Sequence, residues 1–383
     1  MRFAGVPWCG GKPTNASELM RFSEAMSDTL VVVLGTNFAS RHAGRLFHEF
    51  GADVVRISML IGGLQPVDTY LDEGVHSGTL GARATEATLP AVVAVADVCV
   101  VDEQLLWLRG TLNSEPPRAV HGRRSVVWLT SLGIEGPDGG ARGTSATLWA
   151  RAGALAGNGR ADREPLPLPG DVPHSAAAML GVIAAAGHAL ANAGTPAIAE
   201  FDISAYEAAL FCQDFGTTEV QYSGANLRVR QGNMWPVVVL NCADLPVALI
   251  VTNEDEWQRF CVMVERVDLQ QRPEFSSQAS RKQNSAALMA EISPWFSDKN
   301  SSEALSTAIT WRIALSPVLR PQDIRKLGQL SSRNVFHDWE PAWTPHLAEE
   351  SDGLPQARGG ADDKHRQLRA IVANSAGVFV DAQ

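Results

Sequence analysis

The sequence predicts an α/β protein built on a parallel β-sheet, and two stretches of the chain carry this prediction. In the first, residues 29–34 form an apolar strand, apolar residues then recur at helical spacing, and residues 52–57 form a second apolar strand. Gly51 stands between the helix and the second strand, where a left-handed cap residue is expected. A strand, a helix and a strand in this order make a βαβ unit, in which the two strands run parallel.

The second stretch combines a strand, a glycine-rich loop and a helix. Residues 125–130 are mostly β-branched or apolar, which predicts a buried strand. Glycine and proline residues between 133 and 143 predict a loop, and Thr144 or Ser145 is in place to cap a helix that begins near Ala146. Such a loop builds a site at the carboxyl edge of a parallel sheet. The side chain at the junction, Ser145, is therefore predicted to point into that site.

Further elements follow from the same periodicities and from the positions of proline and glycine. The predicted helices are 89–96, 175–193, 203–222, 254–264 and 285–296, and the predicted strands are 97–101, 235–241 and 245–251, the last two forming a hairpin. The tail beyond Pro341 is charged and glycine-rich, with an amphipathic piece near 368–380.

Composition narrows the class of protein. The chain has 383 residues, enough for two domains or one large domain with an insertion, and it is 45% hydrophobic, which is ordinary for a globular protein. Its net charge of −10 argues against a nucleic-acid partner and against a polybasic membrane surface, and no apolar run predicts a membrane span. Five cysteines without a Cys-x-x-Cys pair fit a reduced, cytoplasmic protein, and no metal site is predicted.

Motifs that identify nucleotide-binding and hydrolytic enzymes are missing from the sequence. No Gly-x-Gly-x-x-Gly follows a predicted strand and no Walker loop is present, which argues against a nucleotide-binding Rossmann site. Neither Gly-x-Ser-x-Gly nor His-Glu-x-x-His occurs.

The order and spacing of several short motifs resemble the class III CoA-transferase family of the formyl-CoA and carnitine type. The resemblance covers roughly residues 30–336 and rests on these segments: Gly51-Ala-Asp-Val-Val-Arg56, the run from Gly136-Pro137 to Gly159, Phe201-Asp-Ile-Ser-Ala-Tyr-Glu-Ala-Ala209, and residues 313–324. It places the family's nucleophilic aspartate, which forms acyl-anhydride intermediates, at Ser145. The tyrosine or histidine that precedes this aspartate falls on Thr144.

The resemblance also implies where CoA is held. It assigns CoA contacts to Phe38, Ala39, Arg56, His76 and Gln104. Cations that the family places in two phosphate-binding segments are replaced here by Val75, His76 and Gln104, while Asp72, Glu73, Asp102 and Glu103 add carboxylates to the same segments. Phosphate groups favour arginine and lysine partners, because charge-assisted hydrogen bonds are strong. These replacements predict weak CoA binding.

A second group of candidate residues comes from the stretch Pro165-Leu-Pro-Leu-Pro-Gly-Asp171. It is similar to a stretch of the family's racemases, which carry a catalytic aspartate there. Asp171 and His174, three residues apart, are candidates for shared acid–base chemistry on an acyl-CoA. The alternative is that Asp171 caps the helix that begins near His174.

Together these observations predict a Rossmann-like large domain and a smaller α/β domain, and the family resemblance implies an interlocked, ring-like dimer. The predicted divisions are an N-terminal extension (1–28), the large domain (29–225), the small domain (226–330) and a C-terminal segment (331–383) that returns to the large domain.

The predicted function is a structural subunit of a CoA-transferase that moves CoA from an acyl-CoA to a free carboxylic acid, as in the benzylsuccinate type. The resemblance then implies a related partner subunit that supplies the aspartate, with CoA esters as substrates and no further cofactor. Two alternatives remain: a racemase or isomerase that uses Asp171 and His174, and a homodimeric transferase in which Ser145 or a displaced carboxylate is the nucleophile.

Overall fold

The computed structural model describes residues 26–58, 66–80, 85–114, 123–160, 162–191, 197–213, 220–222, 236–324, 326–332, 336–337, 340–341, 360–374 and 378–380. The predicted N-terminal extension lies outside these residues except for its last three, and so does the predicted domain boundary at 225/226. The chain forms two compact units, one made of 1–158, 165–227 and 337–383 and the other of 159–164 and 228–336.

The strands of both units are short. Their bounds are β1 (Leu30–Val33), β2 (Asp53–Ser58), β3 (His76–Thr79), β4 (Val98–Val101), β5 (Arg123–Thr130), β6 (Ala197–Ser204), β7 (Val237–Asn241), β8 (Pro246–Ile250), β9 (Ala314–Pro317), β10 (Phe336–His337), β11 (Glu340–Pro341) and β12 (Val378–Val380).

Helices connect most of these strands. Their bounds are α1 (Phe38–Glu49), α2 (Pro66–Asp72), α3 (Thr85–Val95), α4 (Leu106–Ser114), α5 (Ser145–Arg151), α6 (Ala154–Gly157), α7 (Val172–Ala191), α8 (Ala205–Cys212), α9 (Glu254–Met263), α10 (Gln278–Gln283), α11 (Ser285–Ser297), α12 (Ser301–Trp311), α13 (Pro321–Ile324), α14 (Gly328–Ser332) and α15 (Gly360–Asn374).

The first unit is organised around a seven-stranded sheet with the order β12-β3-β2-β1-β4-β5-β6. The six strands β1 to β6 pair in parallel, and β12 adds one antiparallel edge. Side chains of β1 alternate between two buried clusters: Val31 and Val33 face one, and Leu30 and Val32 face the other. Both faces of the sheet are therefore covered, as in other parallel sheets. The predicted α/β class with a parallel sheet is confirmed.

The predicted βαβ unit is present and its helix ends are formed by local hydrogen bonds. Asn37 caps α1 by accepting a hydrogen bond from the backbone N–H of Ser40 at 2.8 Å. At the other end Gly51 has φ +86°, and its N–H bonds to the carbonyl of His48. A residue with a side chain is strained at this φ, which is why glycine suits the cap.

One predicted helix, 203–222, is wrong at its start. Residues 197–204 form the edge strand β6, which pairs with β5 along its whole length, and α8 begins only at Ala205. Phe201 and Ile203 pack on the core while the polar Glu200 lies on the other side, since the Trp128 indole donates to Glu200 at 2.7 Å. This alternation has the period of a strand. The strand was missed in the sequence because these residues are followed directly by an alanine-rich helix.

Helix α7 is long and apolar enough to cross a bilayer by length and composition, and it is the one such helix among the described residues. In this fold, however, Ala177, Ala178, Val182 and Ala185 of α7 are buried in the core cluster on one face of the sheet. The helix thus serves as a core helix on one face and exposes apolar side chains on the other.

The second unit has its own core. Strands β7, β8 and β9 form an antiparallel sheet, which confirms the predicted hairpin, and helices α9, α11 and α12 contribute side chains to one buried cluster. Arg281 is fully buried there, where its guanidinium donates to Glu254 and stacks over Trp257 at 4.6 Å. Buried charge is compensated here by an ion pair and an aromatic face.

Helix α1 also carries a titratable group whose burial predicts a pH dependence. Burial lowers the pKa of His42 from 6.5 to about 4, with a smaller contribution from the nearby Arg45 charge. The unfolded chain therefore binds a proton at His42 more readily than the folded chain, so stability falls as the pH drops from 6.5 towards 4. In denaturant unfolding, the wild type is expected to lose about 3 kcal/mol more than His42→Leu across this window. Equal losses in both proteins contradict this assignment.

Candidate functional site

The candidate site lies at the carboxyl edge of the parallel sheet, beyond the end of β5. The loop after β5 reaches α5 through a capping box: the Thr144 hydroxyl accepts from the N–H of Thr147, and the Thr147 hydroxyl accepts from the N–H of Thr144 at 2.9 Å. Thr144 therefore supplies the cap, and Ser145 is the first residue of the helix. Ser145 is 8% exposed and its side chain points inward, as the sequence predicts.

Within that loop, Gly139 shows why a side chain is not tolerated. A Cβ atom at Gly139 stands 2.4 Å from the backbone oxygen of Ile134, and a backbone atom cannot move aside as a flexible side chain does. The loop is thereby fixed in a compact path, which holds the start of α5 close to the sheet.

Three polar side chains meet at Ser145. Its hydroxyl oxygen lies 2.7 Å from Oδ1 of Asp171 and 3.0 Å from Nδ1 of His174. Asp171 directly precedes α7 and His174 lies in the first turn of that helix. The sequence predicted Ser145 as one candidate and Asp171 with His174 as a separate pair, and the structure brings all three together across 26 and 29 residues of chain.

The three groups differ in exposure and charge. The Asp171 side chain is 46% exposed, whereas His174 is nearly buried. Burial lowers the pKa of His174, opposed by the Asp171 charge and by a hydrogen bond to the backbone of Gly143. The imidazole is therefore mostly neutral at neutral pH. A neutral imidazole and an exposed carboxylate make Asp171 the charged, accessible group of the site.

A serine hydroxyl has one proton, so Ser145 donates either to Asp171 or to His174 at a given moment. When it donates to Asp171, the imidazole donates from Nδ1 to the Ser145 oxygen, and two hydrogen bonds in series end on Oδ1. Within the described part of the chain, Oδ2 of Asp171 takes no hydrogen bond. One carboxylate oxygen is held in place and the other is available to a substrate.

A second carboxyl group, that of Glu103, lies at the same edge. Its oxygens accept hydrogen bonds from Ser131 and from the Asn37 amide, each at 3.2 Å. Burial raises the pKa of Glu103, and the neighbouring Asp102 charge adds to this. Ser131 also lies 3.4 Å from the carbonyl of Gly143, the residue that contacts His174. Glu103 is thus connected to the Ser145 cluster through Ser131 and the backbone of Gly143.

Asp102 is fully buried and organises the loop between β1 and α1. Its Oδ2 accepts the backbone N–H groups of Thr36 and Asn37 at 2.6 and 3.0 Å, and its Oδ1 accepts the N–H of Gln104 at 3.0 Å. Its position was expected to face a phosphate, but the carboxylate instead satisfies backbone donors. No periodicity in the sequence indicates this role, although a carboxylate directly after a buried strand is the signal that was available.

The predicted CoA contacts divide into two groups. Phe38 and Ala39 start α1, and Gln104 contacts Thr36, so these three residues lie at the carboxyl edge. His76 lies at the beginning of β3, towards the amino edge of the sheet, and the structure does not bring it to the other candidates.

Arg56, the remaining predicted contact, already has an anionic partner. Its guanidinium lies 2.9 Å from Asp72, and Arg41 lies 2.8 Å from the same carboxylate oxygen. A phosphate bound at Arg56 therefore has to compete with Asp72, and weak CoA binding stays a prediction.

Comparisons with known proteins identify the class of this chain. CoA-transferase family III matches residues 84–350, which is more than half of the chain, and the chain belongs to that family. A probable CoA-transferase of Mycobacterium tuberculosis, Rv1866, is 32% identical over 88 residues. That match covers 23% of this chain and only 11% of the relative.

Solved structures share the fold. A CAIB/BAIF family protein from Brucella suis superposes with a TM-score of 0.71 at 18% identity, covering 88% of this chain and 98% of that protein. The hypothetical protein Rv3272 from Mycobacterium tuberculosis superposes with a TM-score of 0.67 at 18% identity, covering 81% of this chain and 88% of that protein. The match to the family over residues 84–350 confirms the family named from the sequence, and these structures agree with it in fold.

Proposed function

We propose that this chain is a class III CoA-transferase in which the Asp171 carboxylate receives the acyl group. The observation that carries the proposal is the position of Asp171: it is half exposed and lies one hydrogen bond, 2.7 Å, from the side chain of Ser145. Ser145 occupies the place where the resemblance puts the family's nucleophilic aspartate. In this proposal the nucleophilic carboxylate is displaced from that place to Asp171, which is the second of the two alternatives left open by the sequence.

In the proposed reaction, one oxygen of Asp171 attacks the thioester carbonyl of an acyl-CoA. A C–O bond forms, the C–S bond breaks, and a mixed anhydride and CoA thiolate result. The thiolate then attacks the Asp171 carbonyl carbon, which releases the donor acid and leaves an aspartyl-CoA thioester. The carboxylate of the acceptor acid runs the same two steps in reverse and leaves as the new acyl-CoA. No redox change and no net proton transfer is required.

The neighbouring side chains support this role. The hydroxyl of Ser145 holds Oδ1, and the N-terminus of the 20-residue helix α7 favours a negative charge at Asp171. His174 is kept neutral by burial, so it does not compete with the substrate as a fixed cation. Ser145 and His174 are positioning residues in this proposal, and Asp171 is the catalytic residue.

The racemase alternative is less well supported. A two-base racemase removes a proton from one face of a carbon and returns one to the opposite face, so the two bases must flank the substrate. Nδ1 of His174 lies only 3.8 Å from Oδ1 of Asp171, and Ser145 bonds to both atoms. A carbon centre does not fit between them.

The proposal is tested by trapping the acyl-enzyme. The purified chain is mixed with succinyl-CoA or, separately, butyryl-CoA, quenched with hydroxylamine and digested for mass spectrometry. An anhydride or thioester at Asp171 converts that side chain to a hydroxamate. We expect the hydroxamate on the peptide that contains Asp171, and none in Asp171→Asn. A stable ester on Ser145, or a hydroxamate on another carboxylate, contradicts the proposal.

A second candidate function is the structural subunit predicted from the sequence. It is favoured by the pairing of Arg41 and Arg56 with Asp72, which reduces the charge available for CoA phosphates. The relative Rv1866 also supports it: 88 residues make up 11% of that protein, so it is about twice as long as this chain and has room for two such units. A related partner would then carry the nucleophile.

An obligate dimer is part of both candidates. Helix α7 exposes large apolar side chains at Met179, Leu180, Ile183 and Leu190, and the edge strand β6 exposes one, Ile198. Apolar surface of this kind supports a large subunit interface of roughly 2,000 Å² or more.

The hydroxamate experiment also distinguishes the two candidate functions. Hydroxamate formation only on a co-purified related chain assigns catalysis to that partner. A cytoplasmic location remains a prediction.

A further inference from the structure

Three side chains with metal-binding chemistry meet at the amino edge of the sheet, the edge opposite the Ser145 cluster. Asp53 is the first residue of β2, His76 is the first residue of β3, and His365 lies on α15. Nδ1 of His365 lies 2.7 Å from one oxygen of Asp53, and Nε2 of His76 lies 3.6 Å from the other. All three ligand atoms lie within 4.8 Å of one another.

The fold explains why these residues share one face. His76 pairs with Val55, so its side chain projects on the same side of the sheet as those of Val55 and Asp53. Helix α15 packs on that face, since Leu368 and Val372 are buried in the same cluster as Val55. His365 precedes Leu368 by one turn, so its side chain lies next to the first residues of β2 and β3.

From this arrangement we infer that Asp53, His76 and His365 form a binding site for a divalent transition-metal ion, with zinc as the ion of reference. Two imidazoles and one carboxylate are a common ligand set for zinc and its neighbours, and a fourth position is left for water. Ligand atoms around a tetrahedral zinc stand roughly 3–3.5 Å apart, so the three side chains need only small rotations.

Neighbouring charges set the expected strength of binding. The Asp53 carboxylate is 6% exposed and supplies a negative charge in a partly dehydrated place. Arg369 lies one turn beyond His365 on α15, and its charge acts on His76. The positive charge of Arg369 repels a metal ion and weakens its binding. The site is therefore expected to bind zinc in the micromolar range.

The ion would tie the C-terminal helix to the sheet. His365 belongs to the last part of the chain, 312 residues after Asp53, and α15 precedes the edge strand β12, which pairs with β3. A metal ion bound by residues of β2, β3 and α15 stabilises the packing of the C-terminal helix on the sheet. It has no role in the CoA-transfer chemistry. The site is independent of the proposed function, because its ligands lie at the other edge of the sheet.

The test uses the full chain, treated with a chelator and dialysed, at a pH about one unit above the ordinary imidazole pKa. Calorimetric titration with Zn²⁺ is expected to give one ion per chain. Co²⁺ should give the absorption of a tetrahedral nitrogen–oxygen site. His76→Ala, His365→Ala and Asp53→Asn should each weaken binding at least tenfold. His188→Gln, a histidine change away from the cluster, should leave binding unchanged.

Thermal unfolding supplies a second readout. Zinc at a hundredfold excess over its dissociation constant should raise the Tm of the wild type by about 5 °C and leave that of Asp53→Asn unchanged. The absence of wild-type zinc binding at submillimolar concentration overturns the inference, whatever the variants do. Equal binding by wild type and the three cluster variants, or a cobalt spectrum with thiolate character, also overturns it.

Discussion

Replacing Asp171 by asparagine is expected to lower kcat by roughly a thousandfold or more, which is the largest effect on activity that the structure predicts. The amide has the same size as the carboxylate and still accepts the hydrogen bond from Ser145, so the local geometry is preserved. It lacks the negative charge and cannot attack a thioester. The measurement is the exchange of labelled CoA into succinyl-CoA, which requires no acceptor acid.

Ser145→Ala is the matched comparison. It removes one hydrogen bond to a charged group, which costs about 1.5–3 kcal/mol, so a fall in kcat of roughly ten- to a hundredfold is expected. An inactive Ser145→Ala together with an active Asp171→Asn identifies serine as the nucleophile. Unchanged exchange in both variants, in a preparation with a related partner chain, places the nucleophile on that partner.

The sequence predicted the parallel sheet because its signals are local. An apolar run predicts a buried strand on its own, as around Val32 and Val100. A glycine predicts the end of a helix on its own, as at Gly51 after α1. Strand β6 was missed for the same reason: its partner β5 is some 70 residues away, and in isolation residues 197–204 continue into a helical pattern. Pairing with a distant strand decides such a segment, and periodicity does not contain that information.

The candidate site shows a similar division. The inward orientation of Ser145 followed from the position of a cap, which is a local rule. Its contacts with Asp171 and His174 bring together residues 26 and 29 positions apart in the chain, and no spacing rule predicts that approach. The cluster of Asp53 with His76 and His365 was invisible for the same reason, since its members lie on two strands and on the C-terminal helix.

The carboxylate of Asp102 connects the fold to the site. It is 0% exposed and accepts three backbone N–H groups, two from the loop that starts α1 and one from the turn after β4. The Asn37 side chain, held in this loop, bonds in turn to the carbonyl of Leu129 at 2.8 Å and to Glu103. One buried charge therefore fixes three neighbouring parts of the sheet's carboxyl edge.

Asp102→Ala is expected to lower the free energy of unfolding of the first unit by about 3–5 kcal/mol. Three buried N–H donors lose a charged acceptor, and leaving even one buried donor without a partner costs about 1–3 kcal/mol. Asp102→Asn retains one acceptor oxygen and should lose roughly half as much stability.

The control is Asp138→Ala. The Asp138 carboxylate pairs with Arg151 at the surface, so its removal should change stability by less than about 1 kcal/mol. Denaturant unfolding followed by the intrinsic fluorescence of the ten tryptophans, among which Trp128 is buried in the first unit, measures all three variants. A loss of under 1 kcal/mol for Asp102→Ala contradicts the assigned role, because it means that the three N–H groups find other acceptors at no cost.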